Sequence, residues 1–309
     1  MKRFKNIVYF AEGTHEPDHA LERAFLLADN NKARLTMLDV IQPIDIPREV
    51  TDRFDFDLVE MLKQQRLDQL EALAESFKNK GSLIYAKVLV GTPFIEVIKA
   101  VASHGYDLVI KSARCCDGLS DRLFGGTDLH LLRKCPCPVW VDRPGAAAQY
   151  EQVLAAVDPM APANDNCAQL VMDLATSLGR RESAKVDVVH AWTVHGESLL
   201  RDGRYRLSQT EYDLLINQTI YQHKEPLQRL LQNYAMSVGD PSVHLINAEA
   251  STAIHQMSDH LNADLIVMGT LGRSGIPGLF IGNTAEEVLQ NARASILAVK
   301  PPSFVSPVK

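Results

Sequence analysis

Residues 269–284 read Gly269-Thr270-Leu271-Gly272-Arg273-Ser274-Gly275-Ile276-Pro277-Gly278-Leu279-Phe280-Ile281-Gly282-Asn283-Thr284, a Gly-x2-Gly-x9-Gly-Asn-Thr spacing. The apolar run Leu265 to Met268 leads straight into it. That places the stretch beyond the end of a strand, where open α/β sheets bind ligands. Gly269 and Gly272 would let backbone approach a phosphate closely and adopt positive φ. Gly282, Asn283 and Thr284 then open a helix whose first N–H groups lack intrahelical partners, a natural anion site. The chemistry on offer is the holding of phosphate by backbone. No Gly-x-Ser-x-Gly elbow, Gly-Lys-Ser/Thr loop or other nucleophile with a base stands beside it. A plainer reading remains open: Glu287 follows Thr284 by three residues, a capping-box pattern that would use the hydroxyl to cap its own helix. Arg273 either adds a charge-assisted bond to a ligand or is a solvated surface arginine.

Cysteine and histidine are the other residues with chemistry to offer. Cys115, Cys116, Cys135, Cys137 and His130 crowd into one region, and zinc takes thiolate and imidazole. Their spacings are Cys-Cys and Cys-Pro-Cys, however, not Cys-x2-Cys, so packing or redox-sensitive thiols are favoured over a metal. No metal-ligand motif such as His-Glu-x-x-His joins any of the ten histidines. His190, within an apolar strand, reads as a satisfied interior histidine near the glycine loop.

These residues need a scaffold, and the chain supplies the same one twice. Asp107-Leu108-Val109-Ile110 and Asp264-Leu265-Ile266-Val267 lie 157 positions apart, and Gly125 and Thr127 match Gly282 and Thr284 at the same offset. The first strands, Phe4 to Phe10 and Tyr150 to Ala156, match at an offset of 146 and lead to Glu12 and Asp158. Strands are predicted near 5–11, 34–41, 83–90, 107–111 and 138–142, with helices at 17–30, 56–80, 93–104 and 127–135. In the second copy, strands fall near 151–157, 185–192, 242–247, 264–268 and 296–300, and helices near 163–179, 208–238, 250–261 and 284–292. Continuous apolar strands alternating with helices give an α/β fold, two tandem doubly wound units each built on a five-stranded parallel sheet. The expected boundaries are 1–145 and 150–301, with 302–309 as a loose tail. Leu214, Leu215, Gln218 and Tyr221 are expected to pack their helix on the sheet.

Composition narrows the function classes. The 309 residues are 46% hydrophobic and 23% charged, ordinary for a globular chain. Residues 1–150 carry 20 basic and 21 acidic side chains, and the remainder 12 and 17. Neither half has the basic excess that accompanies nucleic-acid binding. No apolar run approaches the ~20 residues that span a bilayer. Five cysteines, two of them adjacent, point to a reducing cytoplasm.

The glycine loop, Asp158 ending a first strand, and the duplicated five-strand units together resemble the universal stress protein family over nearly the whole chain. The stretches Thr127-Asp128-Leu129-His130-Leu131-Leu132-Arg133-Lys134-Cys135-Pro136 and Gly282-Asn283-Thr284-Ala285-Glu286 resemble its bacterial tandem branch. The resemblance implies an adenine nucleotide α-hydrolase-like sheet of strand order 3-2-1-4-5, units that pair through their fifth strands, and ATP, with or without Mg, as ligand. It implies that Asp158 meets the ribose or a metal and that backbone near Ala191, after the second strand, meets the adenine. Gly269, Gly272, Gly282, Asn283 and Thr284 would hold the phosphates. Asn283 departs from the family's Ser or Thr. In the first unit Ser112, Cys115 and Glu12 replace Gly269, Gly272 and Asp158, so nucleotide is expected only in the second. The function implied is a cytoplasmic stress-response protein acting by nucleotide-dependent conformation or association, with a homodimer also allowed and no dedicated catalysis. A stress scaffold without nucleotide, a small-ligand binder and a weak ATPase are the alternatives.

Overall fold

A computed structural model describes residues 4–14, 16–43, 58–77, 83–113, 124–147, 149–160, 166–194, 196, 200, 207–270 and 282–308. The first half runs β1 (Asn6–Phe10), α1 (His19–Asn31), β2 (Arg34–Ile41), α2 (Leu58–Ser76), β3 (Leu83–Val90), α3 (Pro93–His104), β4 (Leu108–Ser112), α4 (Gly126–Lys134) and β5 (Val139–Asp142). The second repeats it with β6 (Gln152–Ala156), α5 (Cys167–Glu182), β7 (Lys185–Trp192), α6 (Gln209–Gln232), β8 (Val243–Asn247), α7 (Ala250–Leu261), β9 (Leu265–Gly269), α8 (Asn283–Asn291) and β10 (Ser295–Val299).

All ten strands form one sheet in the order β3-β2-β1-β4-β5-β10-β9-β6-β7-β8. Each half is parallel with the expected order, and the halves meet antiparallel at β5 and β10, where Leu297 faces Trp140. The sheet is therefore mixed only at its seam. β10 is buried at every position, and its run Ile296 to Val299 is continuously apolar because helices cover both faces. On one face α1, α2, α5 and α6 enclose a core that includes Leu21, Leu70, Met172 and Leu227. On the other, α3, α4, α7 and α8 enclose a second core around Val97, Leu131, Ile254 and Val288.

Local sequence sets the helix ends. Asp18 caps α1 by accepting from the Leu21 N–H. Pro93 opens α3, and Gly105 closes it in the left-handed conformation (φ 65°). The register also fixes which residues correspond between halves. Ile7 pairs with Leu35 and Leu108, as Val153 pairs with Val186 and Leu265. Glu12 thus matches Asp158, Asp39 matches His190, and Lys111 and Ser112 match Met268 and Gly269.

One expectation needs correction. Leu214 and Tyr221 do not pack on the sheet: they are 58% and 64% exposed, and α6 buries only Leu227 and Leu231 near its C-terminal end. Helical spacing marks a stripe but not what covers it. Residues 302–308 turn back onto the body: the Phe304 N–H donates to Pro301 O, the Lys300 ammonium lies 5.2 Å from the centre of the Phe304 ring, and Val308 packs on the second core.

Candidate functional site

The carboxyl edge of the second half gathers most of the residues singled out from sequence. Asp158 follows β6 by two positions, is half-buried, and turns its carboxylate to the Met160 N–H at 3.1 Å. Ala191 lies inside β7 as its penultimate residue, paired with Ile246, and not after the strand. The strand simply runs one residue further, through Trp192. Gly269 is the last residue of β9. Gly272 and Arg273 lie outside the described residues, as do Cys115 and Cys116. Gly282 is the N-cap of α8, Asn283 its first residue (known here by its backbone alone) and Thr284 its second.

The loop between these elements is closed at its base. Thr270 N donates to Val299 O at 3.2 Å, and Gly282 N donates to Thr270 O at 3.0 Å. The chain therefore leaves β9 and returns to α8 at one point. At that base the Thr270 side chain is buried, and its hydroxyl meets no partner among the described residues. The first backbone bond of α8 is Glu286 N to Gly282 O. The N–H groups of Asn283, Thr284 and Ala285 thus precede the helical ladder, at the positive end of the helix.

Two details differ from the sequence expectation. Gly269 does not use positive φ; its need is steric, since a Cβ there would stand 2.8 Å from the Cys167 Sγ. Thr284 and Glu287 form no capping box. The helix begins two residues earlier than that pattern requires, and the Glu287 carboxylate accepts from the Ser251 hydroxyl on α7.

Beside Asp158 stands a histidine pair. His190, 2% exposed, places Nδ1 at 3.1 Å from Val157 O and Nε2 at 2.8 Å from His223 Nδ1 on α6. A carbonyl only accepts, so His190 carries a proton on Nδ1, and its Nε2 shares one hydrogen bond with His223 Nδ1. Trp192 lies against His223 with ring centres 6.4 Å apart. His190 is a satisfied interior residue, and it sits next to the residue that precedes Asp158.

The same edge of the first half is closed by its own side chains. Lys111, fully buried, places Nζ 2.6 Å from Glu12 Oε2 and binds Asp128 Oδ1. Asp128 Oδ2 accepts from Gly125 N at 2.8 Å and so caps α4, a helix that lacks the Glu of its counterpart. Burial pushes the Asp128 carboxyl above the usual range, against the pull of Lys111. Ser112 Oγ donates to Asp18 Oδ2 at 2.7 Å, and Tyr9 OH to the same oxygen at 2.9 Å. Burial and Asp18 push the Tyr9 hydroxyl well up, which keeps it a neutral donor. Asp39 takes Arg66 Nε at 2.8 Å, where the second half has His190 and His223. The sequence did carry a sign of this ion cluster: Lys111 interrupts the apolar strand at the position of Met268.

The thiols are packed as expected of interior cysteines. Cys135 and Cys137 are buried with sulfurs 3.6 Å apart, and His130 stacks on Phe94 at 4.2 Å. Among the described residues no three His, Cys, Asp or Glu side chains converge where a metal ion could sit. Cys167 was not singled out by spacing; only the pairing of α5 against β9 brings it to Gly269.

Comparison with known proteins places this geometry. The sequence profile of the universal stress protein family matches residues 3–143 and 149–300. Universal stress protein E of Escherichia coli (strain K12) is 30% identical over 322 aligned positions, covering 100% of this chain and 98% of that protein. The universal stress protein E homolog of Haemophilus influenzae is 23% identical, covering 97% and 98%. Among solved structures, a functionally unknown protein, PA1789, from Pseudomonas aeruginosa PAO1 superposes with a TM-score of 0.75 at 21% identity, covering 97% of this chain and 94% of that one. With two units joined through their fifth strands into one sheet, the chain belongs to the universal stress protein family as a tandem member similar to universal stress protein E.

Proposed function

We propose that this protein serves the stress response by binding one adenine nucleotide, ATP with or without Mg, at the carboxyl edge of its second unit. Nucleotide would act there by changing conformation or association, not through a dedicated reaction. The observation that carries the reading is the closed base of the 271–281 loop, where Gly282 N meets Thr270 O beside the N-terminus of α8. The residues fit such a ligand. The buried Thr270 hydroxyl lacks a partner among the described residues, and the Thr284 hydroxyl is released from capping. The α8 N–H groups favour an anion, and Asp158 at the edge of β6 is placed to accept from a ribose hydroxyl or hold a cation. Gly272 and Arg273, between Thr270 and Gly282 in the sequence, would complete the phosphate contacts. Ala191 and the neighbouring edge of β7 would meet the base.

The first unit would not share this activity, because Lys111, Glu12 and Asp128 fill the corresponding edge with an internal ion cluster. The protein would work in the cytoplasm; no described helix is long and apolar enough to cross a membrane.

Equilibrium titration with ATP tests the reading. Wild type is expected to bind saturably. Gly272→Val should abolish binding by filling the loop, and Asp158→Ala should weaken it about tenfold or more through loss of a charge-assisted bond. Unchanged affinity in Gly272→Val, with the variant folded, would contradict the site.

A further inference from the structure

At each end of the seam, a basic residue that follows one fifth strand faces the turn that precedes the other. Arg143 follows β5 while Ala292 and Ala294 precede β10; Lys300 follows β10 while Cys135 and Cys137 precede β5. The two corners correspond at the repeat offset of 157.

Their charges are settled differently. Arg143 Nη2 lies 3.7 Å from Asp264 Oδ1, and the turn opposite carries only alanines. Lys300 is buried and donates to Leu132 O, a neutral carbonyl, at 2.9 Å. Asp107, the counterpart of Asp264, is held by the Lys5 and Asn6 N–H groups. Lys300 forms no ion pair with it or with any other carboxylate among the described residues. A buried ammonium with one carbonyl for its three protons is costly without a counter-charge. Thiols stand in the corner where the carboxylate is missing.

Cys135 Sγ and Cys137 Sγ are 3.6 Å apart, and both lie close enough to Lys300 to favour its charged form. Ionised Cys135 supplies the counter-charge. Against the cost of burial, the Cys137 S–H and the Lys300 ammonium draw the Cys135 thiol below its usual range. Cys137, donating to Cys135 and buried, is pushed well up. A thiolate held against a thiol is what disulfide formation requires.

We propose that Cys135 and Cys137 are an oxidation site, closed to a disulfide by hydrogen peroxide with Lys300 as the proton donor. The Cys135 thiolate attacks one peroxide oxygen, the O–O bond breaks, and the departing hydroxide takes a proton from Lys300 and leaves as water. Cys135 is then a sulfenic acid. The Cys137 sulfur attacks the Cys135 sulfur, the S–O bond breaks, and hydroxide leaves with the Cys137 proton as a second water. Two electrons pass from the sulfurs to peroxide. Lys300 ends as a neutral amine, so the loss of the thiolate strands no cation. Both thiols are enclosed, which admits a small hydroperoxide and excludes bulkier disulfides until the protein opens locally.

The test is to treat the reduced full chain with hydrogen peroxide, quench, unfold and alkylate it. Cleavage after Lys134 and before Asp142 releases residues 135–141, which hold both of these thiols and no third. That peptide is expected unalkylated and lighter than the dithiol by two hydrogen atoms, with alkylation restored by reductant. Lys300→Met, shown to be folded by its thermal melt, should form this product about tenfold more slowly. Cys137→Ala should stop at the Cys135 sulfenic acid, which dimedone captures. A doubly alkylated peptide from peroxide-treated wild type would overturn the inference. So would an unchanged rate in folded Lys300→Met, or Cys137→Ala protein that dimedone does not label at Cys135.

Discussion

The two units share one backbone and treat its carboxyl edge in opposite ways. In the first, Lys111, Glu12 and Asp128 form a buried ion cluster, and Tyr9, Ser112 and Asp18 form a hydrogen-bonded one. In the second, Met268, Ala285, Ala155 and Gly269 stand at the matching positions, and the polar groups left at the edge are Asp158, backbone and the Thr270 hydroxyl. One edge satisfies itself and the other is left needing a partner. A duplicated fold can thus keep its scaffold while assigning stability to one copy and binding to the other, because fold and site are specified by different residues.

The largest test of this contrast is to give the first unit the second unit's residue. Lys111→Met would strand two carboxylates, and losing one partner of a buried pair destabilises by about 3–5 kcal/mol. Adding Asp128→Ala should recover more than half of that in denaturant unfolding. Wild-type stability in the single variant would mean that the cluster does not hold the edge.

The last residues of the two sheets differ next. Arg143 is half-buried beside Asp264, while its counterpart Lys300 is fully buried and donates to Leu132 O at 2.9 Å. Burial lowers the Lys300 ammonium from its usual 10.5 to about 8, against the pull of the nearby cysteines. Between those values the unfolded chain binds the extra proton, so stability rises with pH across that window, by up to about 3 kcal/mol from this group. Lys300→Met should remove that part of the slope when unfolding is measured at pH 8 and pH 10. Parallel slopes for the two proteins would refute it.

Smaller effects are expected where the glycine of one unit is the serine of the other. Gly269→Ala would press a methyl group on the Cys167 sulfur and cost about 1–3 kcal/mol. Cys167→Ala in the same chain should relieve it, and absence of relief would place the strain elsewhere. Ser112→Ala removes one hydrogen bond to Asp18, with a loss of about 1 kcal/mol in the same unfolding assay.

Much of this was legible in the residues. The repeat offsets located both units, and the apolar strands located the sheet, because burial on two faces leaves a continuous apolar run that sequence records directly. The glycine spacing marked the end of β9, and the structure sets Gly269, Gly282 and Thr284 at the carboxyl edge of the sheet. What spacing could not record was contact between distant segments. The approach of Cys167 to Gly269 and the pairing of His190 with His223 both depend on how helices lie on the sheet. The capping of α8 was misplaced by two residues because Gly282 offers no side chain to mark an N-cap. The exposed faces of Leu214 and Tyr221 show the same limit: amphipathic spacing is local, whereas burial is decided by what the rest of the chain brings near.

The central claim is the inequality of the two edges, and a calorimetric count of ATP sites on the full chain tests it most directly. The account predicts one site per chain, lost in Gly272→Val and kept in Ser112→Ala. No binding, or two equal sites, would contradict it.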